Sequence, residues 1–428
     1  MPSVRKCLNL QLVFACYRHK EMPVSEVAAK LSKGGVWWIA IAFFLISFAP
    51  GLWMTSLPNT LNTQSMGWVL PFAFATGPLA SLLSPLVFGS MADYRFSAQK
   101  LMGILSLVGA VFLGLGFYSL HAGWGPWYYL TFQMLNGLFS APMWALLSTV
   151  ALVNLEQPDK AFPLYRLWGT IGWIVAGLVV SLFTLDSSPV AGMIAAGIRV
   201  LLGLACFMLP ETSPMGERSA GRSLLGNWRS YFGLDALVLF KKSSLRVFLI
   251  TSVIFAIPLA AFYMYAPIQL KEIGDSHPAA SMTIGQLTEI AAMLMLSGLM
   301  AKGRLRWVLI AAIAFALVRY LLFALAGWTE SLPWLWLGIA MHGPCYTFYS
   351  VTGQILVNRQ VEAGLRNQAQ ALLSVLSIGL GGLVGTLLCG FFYEMTVGIE
   401  NNWIIYWSSL AVSVLACGVY FCTHYDRR

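Results

Sequence analysis

Val36-Trp-Trp-Ile-Ala-Ile-Ala-Phe-Phe-Leu-Ile-Ser-Phe-Ala-Pro-Gly-Leu-Trp-Met-Thr-Ser-Leu57 opens a run, residues 34–92, that contains no Asp, Glu, Lys or Arg. Such a run is too long for one bilayer-crossing helix of about 20 residues and suits two. The turn between them is expected at Pro58-Asn-Thr-Leu-Asn-Thr63, where the chain becomes polar. Residues 101–155 repeat the pattern without a charge, and His121-Ala-Gly-Trp-Gly-Pro126 supplies the break. Each run reads as a helical hairpin.

Working outward, the pattern recurs. Candidate helices fall at roughly 35–57, 68–91, 101–120, 127–154, 163–185, 189–209, 247–270, 283–301, 306–326, 332–358, 368–393 and 402–422. These are about twelve transmembrane spans of bilayer-crossing length. The short alternating strands of a membrane barrel are not seen. Charged residues are 10% of the chain and hydrophobic residues 58%, whereas soluble domains carry about 25% charged residues. The expectation is an all-α membrane protein.

Charge placement gives an orientation. With both termini cytoplasmic, 23 of the 26 Lys and Arg collect on the cytoplasmic side. Lys271 falls outside, and Arg199 and Arg319 fall within spans. This is the positive-inside asymmetry, and it accounts for the net charge of +9 without a nucleic-acid partner. The expected partners are membrane lipid and a small solute. Glu211 to Arg246 is the longest polar insert and divides the spans six and six. Two six-helix bundles joined by a basic loop is the layout of a two-bundle transporter. The expected divisions are a cytoplasmic tail over 1–34, bundles over 35–210 and 247–423, a central cytoplasmic loop over 211–246, and a tail over 424–428. The seven cysteines show no metal spacing, and neither a disulfide framework nor a cofactor is expected.

Four polar faces interrupt the apolar helices. In Phe162-Pro-Leu-Tyr-Arg166-Leu-Trp-Gly-Thr170-Ile-Gly-Trp173, Arg166, Thr170 and Trp173 stand at i, i+4 and i+7 and share one helix face. A cation, a hydroxyl and a flat ring suit a polar ligand that contains a ring. An interfacial anchor beside a packing tryptophan fits the spacing equally. In span 8, Gln286 and Glu289 face one way, and a carboxylate inside the membrane is a natural proton carrier. The other reading is a fixed bridge from Glu289 to Arg319 or Arg166. In span 10, His342, Tyr346, Tyr349 and Gly353 form a stripe that can stack on a base or sugar, or simply pack; His342 can also relay protons. Gln370, Ser374 and Ser377 form a fourth face ahead of a glycine-rich run, and Trp53 and Thr55 are further lining candidates.

The fifth-span segment resembles the signature of the bacterial nucleoside:proton symporters, a branch of the major facilitator superfamily. Gly51–Leu57, Ala92–Ala98, Gly233–Phe240, Gln286–Glu289, His342–Gly353 and Arg366–Gln370 fit in order, so the resemblance covers about residues 38–422. It implies the major facilitator fold and import of nucleosides by proton symport through alternating access. It implies a bacterial inner membrane, multi-pass, and no enzymatic activity. It implies a substrate site of Arg166, Thr170, Trp173, Gln286, Glu289, His342, Tyr346 and Tyr349, with coupling at Glu289 and His342. Gly89-Ser-Met-Ala-Asp93 is similar to the superfamily's loop motif, which assigns Gly89 and Asp93 a structural role. The chain departs from the family where Ala260 and Tyr263 fall at polar ligand-contact positions, and where Thr347 replaces a common Asp. Rival readings are a carrier of sugars or another small polar solute on the same fold, an intramembrane enzyme using His342, and a non-transporting sensor.

Overall fold

The computed structural model describes residues 33–94, 96–155, 158–213, 234–301, 305–362 and 366–425. Most of the amino-terminal tail, much of the central insert and the side chains of Gly89 and Asp93 lie outside the described residues. In chain order the helices are α1 (Lys33–Thr63), α2 (Leu70–Tyr94), α3 (Ala98–His121), α4 (Pro126–Ser140), α5 (Met143–Asn154), α6 (Pro158–Leu182) and α7 (Val190–Cys206). After the insert come α8 (Ser243–Glu272), α9 (Pro278–Ala301), α10 (Leu305–Thr329), α11 (Leu332–Ala340), α12 (His342–Gln360), α13 (Arg366–Ser374), α14 (Gly382–Thr396) and α15 (Asn402–His424). No strand occurs among the described residues.

Among the described residues, ten helical stretches are long and apolar enough to cross a bilayer, with α4–α5 and α13–α14 each counted as one. The two remaining expected spans are a shorter helix, α7, and the pair α11–α12. Prolines explain the interruptions within α4–α5 and α11–α12, whereas α13 and α14 are joined by a π-helical stretch, Val375–Gly381, without proline. Pro142 and Pro344 lack the N–H that would bond back to the preceding turn, and the helix breaks just before each, at Ala141 and Met341.

One expected turn is not a turn. The helix runs straight through Pro58 and ends at Thr63. Hydroxyls around the proline bond back to main-chain carbonyls: Thr55 Oγ1 to Gly51 O at 2.7 Å, Ser56 Oγ to Leu52 O at 3.1 Å and Thr60 Oγ1 to Ser56 O at 2.9 Å. These bonds keep the hydroxyls satisfied within the helix; none of them reaches Met54 O, the carbonyl that Pro58 leaves without its helical donor. They also leave Thr55 buried and occupied, not lining a cavity.

The hydrogen bonds between the chain before residue 213 and the chain after 234 gather at one end of the molecule. Asn59 Nδ2 donates to Pro267 O (3.0 Å), Lys271 Nζ to Ser187 Oγ, Ala279 N to Asp186 Oδ1 (2.7 Å) and Ala280 N to Ser181 Oγ (2.9 Å). Ser181 Oγ also donates to Asp186 Oδ1 (3.0 Å), so this carboxylate covers the first turn of α9, where helix N–H groups are free. Helices α6 and α9 approach closely beside it, because a Cβ on Gly177 would lie 2.6 Å from both Ala279 O and Thr283 Cγ2. The two parts of the chain are therefore latched together at the end that carries the 183–189 and 273–277 turns.

Burial pushes the Asp186 carboxyl above the ordinary carboxylate range, and its hydrogen bonds and His277 only partly offset this. A group raised in the closed form binds its proton more tightly there than in a hydrated, open form. Its contribution to closure is full below the ordinary carboxylate range and is lost as pH rises through the raised value. Acid is thus expected to favour the latched form. Lys271, Asp275 and His277 share these turns, so the comparison must be with Asp186→Asn, which cannot titrate. Spin labels flanking the latch should report more of the closed distance as pH falls in the parent protein and a flatter response in the variant. Equal pH responses would remove Asp186 from the latch.

Candidate functional site

A cavity of about 660 Å³ lies between the two parts of the chain. Trp53, Trp144 and Trp173 contribute from the first part, and Tyr263, Tyr346 and Tyr349 from the second. Pockets for small molecules are commonly of this size, mostly apolar with a few convergent polar groups.

Tyr263 on α8 is the centre of one wall. Gln286 Nε2 donates to its hydroxyl at 3.0 Å, and His342 Nε2 lies 3.4 Å from the same oxygen. The Trp173 ring meets Tyr263 edge to face at 5.8 Å between centroids. His342 stacks on Phe262 at 4.3 Å with planes 6° apart, and on Tyr346 at 5.6 Å. Beyond it, Arg319 Nη1 lies 3.2 Å from His342 Nδ1, and Arg319 Nη2 donates to the Tyr320 hydroxyl at 2.6 Å. An arginine can only donate. His342 Nδ1 therefore accepts, and the proton of the neutral ring sits on Nε2, facing Tyr263. The chain Arg319–His342–Tyr263–Gln286 fixes the wall from behind.

Two polar atoms on this wall have no hydrogen-bond partner among the described residues: Trp173 Nε1, a donor, and Gln286 Oε1, an acceptor. Both belong to side chains that touch Tyr263. Buried polar groups are costly when unpaired; Trp173 lines the cavity, so its N–H suits a ligand acceptor beside a flat ring, whereas Gln286 Oε1 lies behind Tyr263.

The sequence-derived residues divide into three groups. Trp173, Tyr346 and Tyr349 line the cavity. Tyr349 is nearly buried, packed on Phe255 at 4.3 Å between ring centroids, with its hydroxyl 3.2 Å from Ser252 Oγ. Gln286 and His342 stand behind Tyr263. Thr170 is half-buried on the Trp173 helix, one turn earlier, and Arg166 is exposed, its guanidinium 5.8 Å from the centroid of the Trp144 ring.

Glu289 is half-buried. Among the described residues the ion pair within 4 Å joins Lys100 and Glu211, both well exposed. Neither expected bridge, Glu289–Arg319 or Glu289–Arg166, is formed in this conformation. Arg319 instead bonds to His342 and Tyr320. Glu289 remains in electrostatic range of Arg166, and Tyr346 interacts with both. The carboxylate is thus near a cation but not held by it. Thr347, where an acid is common in the resembled family, is fully buried and its hydroxyl is unpartnered.

Tyr263 enters the sequence reading only through the family resemblance, and several other lining residues not at all. Tyr263 lies in an apolar stretch, Ala260-Ala-Phe-Tyr263, with no periodic polar face. Gln133, Asn136 and Ser140 also line the cavity, beside Arg199. Their spacing of i, i+3 and i+7 in an otherwise apolar helix is a signal that was available. Ser374 and Ser377 do reach the cavity, whereas Gln370 donates to Gln354 O and to Asn358. The glycines after Ser377 pack closely, as their spacing suggested: a Cβ on Gly385 would lie 2.8 Å from the α8 backbone at Ile257. Among the described residues no cluster of His, Cys, Asp and Glu forms a metal site.

Known proteins agree with this architecture. The solved structure of the nucleoside transporter NupG superposes with a TM-score of 0.80 at 23% identity, covering 92% of this chain and 99% of that one. The putative nucleoside transporter YegT of Escherichia coli (strain K12) is 32% identical over 402 residues, 90% of each chain. The xanthosine permease of the same organism is 26% identical over 405 residues, 90% of this chain and 94% of the permease. The nucleoside H+ symporter family model matches residues 38–427. The chain belongs to the nucleoside H+ symporter family.

Proposed function

We infer that this chain imports nucleosides together with protons, as a secondary active transporter and not an enzyme. Family membership supports the activity class. The observation that carries the substrate reading is the Trp173–Tyr263–Tyr346 wall, with the unpartnered Trp173 N–H beside Tyr263. A nucleobase presents a flat ring edged by acceptors, so it can stack on this wall and satisfy the Trp173 N–H. A sugar offers hydroxyls but no flat ring, which disfavours the rival carrier reading.

Counting α7 and α11–α12 as spans gives twelve, in bundles over 35–210 and 247–423 joined by the 211–246 loop. The excess of basic residues supports a cytoplasmic position for that loop and both tails (1–34 and 424–428), and family membership supports a bacterial inner membrane. The latched end then faces the periplasm and the cavity serves the cytoplasm. Alternating access is the rocking of one bundle against the other about the cavity. In this scheme Arg166, Thr170, Trp173, Gln286, His342, Tyr346 and Tyr349 hold the nucleoside. Glu289 binds the proton, with His342 as a relay through the Tyr263 hydroxyl. Gly89 and Asp93 serve the loop structure. The proton and the substrate each favour the state that binds the other.

Uptake of labelled uridine and adenosine, set against a panel of labelled sugars, tests the reading. Nucleoside uptake is expected. Sugar uptake without nucleoside uptake would overturn it. A finer test is Tyr263→Phe, which keeps the ring and removes the hydroxyl shared by Gln286 and His342. One net hydrogen bond is worth about 1 kcal/mol, so KM is expected to rise roughly three- to tenfold with the variant still folded. An unchanged KM and unchanged coupling would show that Tyr263 only packs.

A further inference from the structure

One buried cation in the cavity wall has no role in the scheme above. Arg199 on α7 is 6% exposed and lines the same cavity as Trp173 and Tyr263. Its Nη1 donates to Asn136 Oδ1 and Ser140 Oγ, and its Nη2 lies 3.4 Å from Met143 Sδ. Its Nε has no partner among the described residues. Among those residues no carboxylate lies within 4 Å of it. A buried guanidinium facing only neutral acceptors is an expensive arrangement in a membrane protein.

The surroundings make room for this cation and aim it. A Cβ on Gly109 would lie 2.3 Å from Arg199 Nη2, so the absence of a side chain there is what admits the guanidinium. Ser106 Oγ donates to the Arg199 carbonyl at 2.7 Å and pins its turn of helix. Gln133, Asn136 and Ser140 lie along one face of α4 and also border the cavity. Asn136 Nδ2 reaches Gln133 Oε1 at 3.4 Å, so the amides are linked. The result is a fixed positive charge flanked by neutral polar groups, reached from the substrate cavity and short of an anion. Arginine in such a setting is the residue suited to a carboxylate-like or phosphate oxygen.

We propose that Arg199, with Gln133, Asn136 and Ser140, is an anion subsite that admits nucleosides bearing a negative charge, either an ionised oxopurine base or a phosphate on the ribose. The proposal rests on the nucleoside reading of the cavity. The aromatic wall holds the ring, and the guanidinium neutralises the charge on the opposite bundle wall. One consequence concerns the membrane potential. A neutral nucleoside carried with one proton moves one positive charge, whereas a singly charged anion carried with one proton moves none.

The test uses the full-length protein in proteoliposomes, with three ligands: uridine (neutral), xanthosine (whose base ionises) and uridine 5′-monophosphate. The parent protein is expected to bind at least one of the two anions, and which one it binds distinguishes a base charge from a phosphate. Arg199→Gln should weaken that anion at least tenfold and leave uridine within twofold; Arg199→Lys should restore part of the loss. Equal losses for uridine and the anion would make Arg199 structural and overturn the proposal. A second measurement needs no variant. If the base charge is read, competition by xanthosine against uridine should strengthen as the pH rises through its ionisation, with inosine as the unchanging control. If the phosphate is read, the monophosphate should compete, and because it carries close to two negative charges at neutral pH, its uptake with one proton should respond to an imposed potential in the sense opposite to that of uridine. Uridine binding with neither anion competing overturns the subsite alone. Binding of no nucleoside at all overturns the nucleoside reading beneath it.

Discussion

Glu289→Gln is expected to abolish accumulation driven by a pH gradient while leaving substrate exchange across the membrane. The substitution keeps the size and polarity of a half-buried side chain and removes only its capacity to take a proton. Glu289 is in electrostatic range of Arg166 but forms no ion pair with it within 4 Å, so the amide leaves no broken bridge behind. One pH unit is worth about 1.4 kcal/mol per proton, or roughly tenfold in concentration. A one-proton carrier can therefore hold about tenfold accumulation across such a gradient, and the variant should hold none. Counterflow of labelled against unlabelled nucleoside needs only binding and rocking, and should persist. If the variant accumulates substrate as the parent does, Glu289 is a structural polar group and the proton travels elsewhere.

The second large effect is expected at Gly177, where the two parts of the chain are latched. A Cβ there would sit 2.6 Å from the Ala279 carbonyl oxygen, part of the α9 backbone, which cannot turn aside as a side chain end can. Gly177→Val should hold α6 and α9 apart at this end. Overpacking of this kind costs typically 1–3 kcal/mol, which at its upper end shifts a two-state balance roughly 100-fold against the latched form. Initial uptake should fall by a comparable factor, with nucleoside binding retained in the unlatched form and Gly177→Ala intermediate. Uptake within twofold of the parent would mean that the latch does not open and close during transport.

Much of the fold was legible because lipid imposes a simple constraint. Charge-free runs such as 34–92 and 101–155 exceed one bilayer width and stop at basic loops. The misread turn at Pro58 shows the limit. Proline signals a break in water, but inside a membrane helix the flanking turns hold the chain helical through it, and Pro58 sits in an unbroken helix to Thr63. Interruptions at Ala141 and Met341 were hidden for the converse reason, because hydropathy continues across them.

The site was half legible. Faces repeating at helical spacing pointed to Trp173 and Tyr346, which line the cavity, and to Gln286, which backs Tyr263. Periodicity could not rank them by depth: it does not show that Gln286 and His342 stand behind Tyr263, or that Arg319 turns to His342 and Tyr320. Tyr263 owes its central place to three helices converging on one hydroxyl and one ring, a tertiary fact without a local pattern. Arg199 was visible as a charge within a span, but its neutral partners on α4 emerge only when α4 and α7 are set side by side.

The most direct test of the account is uptake of labelled uridine by proteoliposomes containing the purified protein, with and without an acid exterior. The account predicts accumulation above equilibrium, rising about tenfold per pH unit for a one-proton cycle and collapsing when a protonophore dissipates the gradient. Uridine that enters only to equilibrium, at a level indifferent to the gradient, would contradict it.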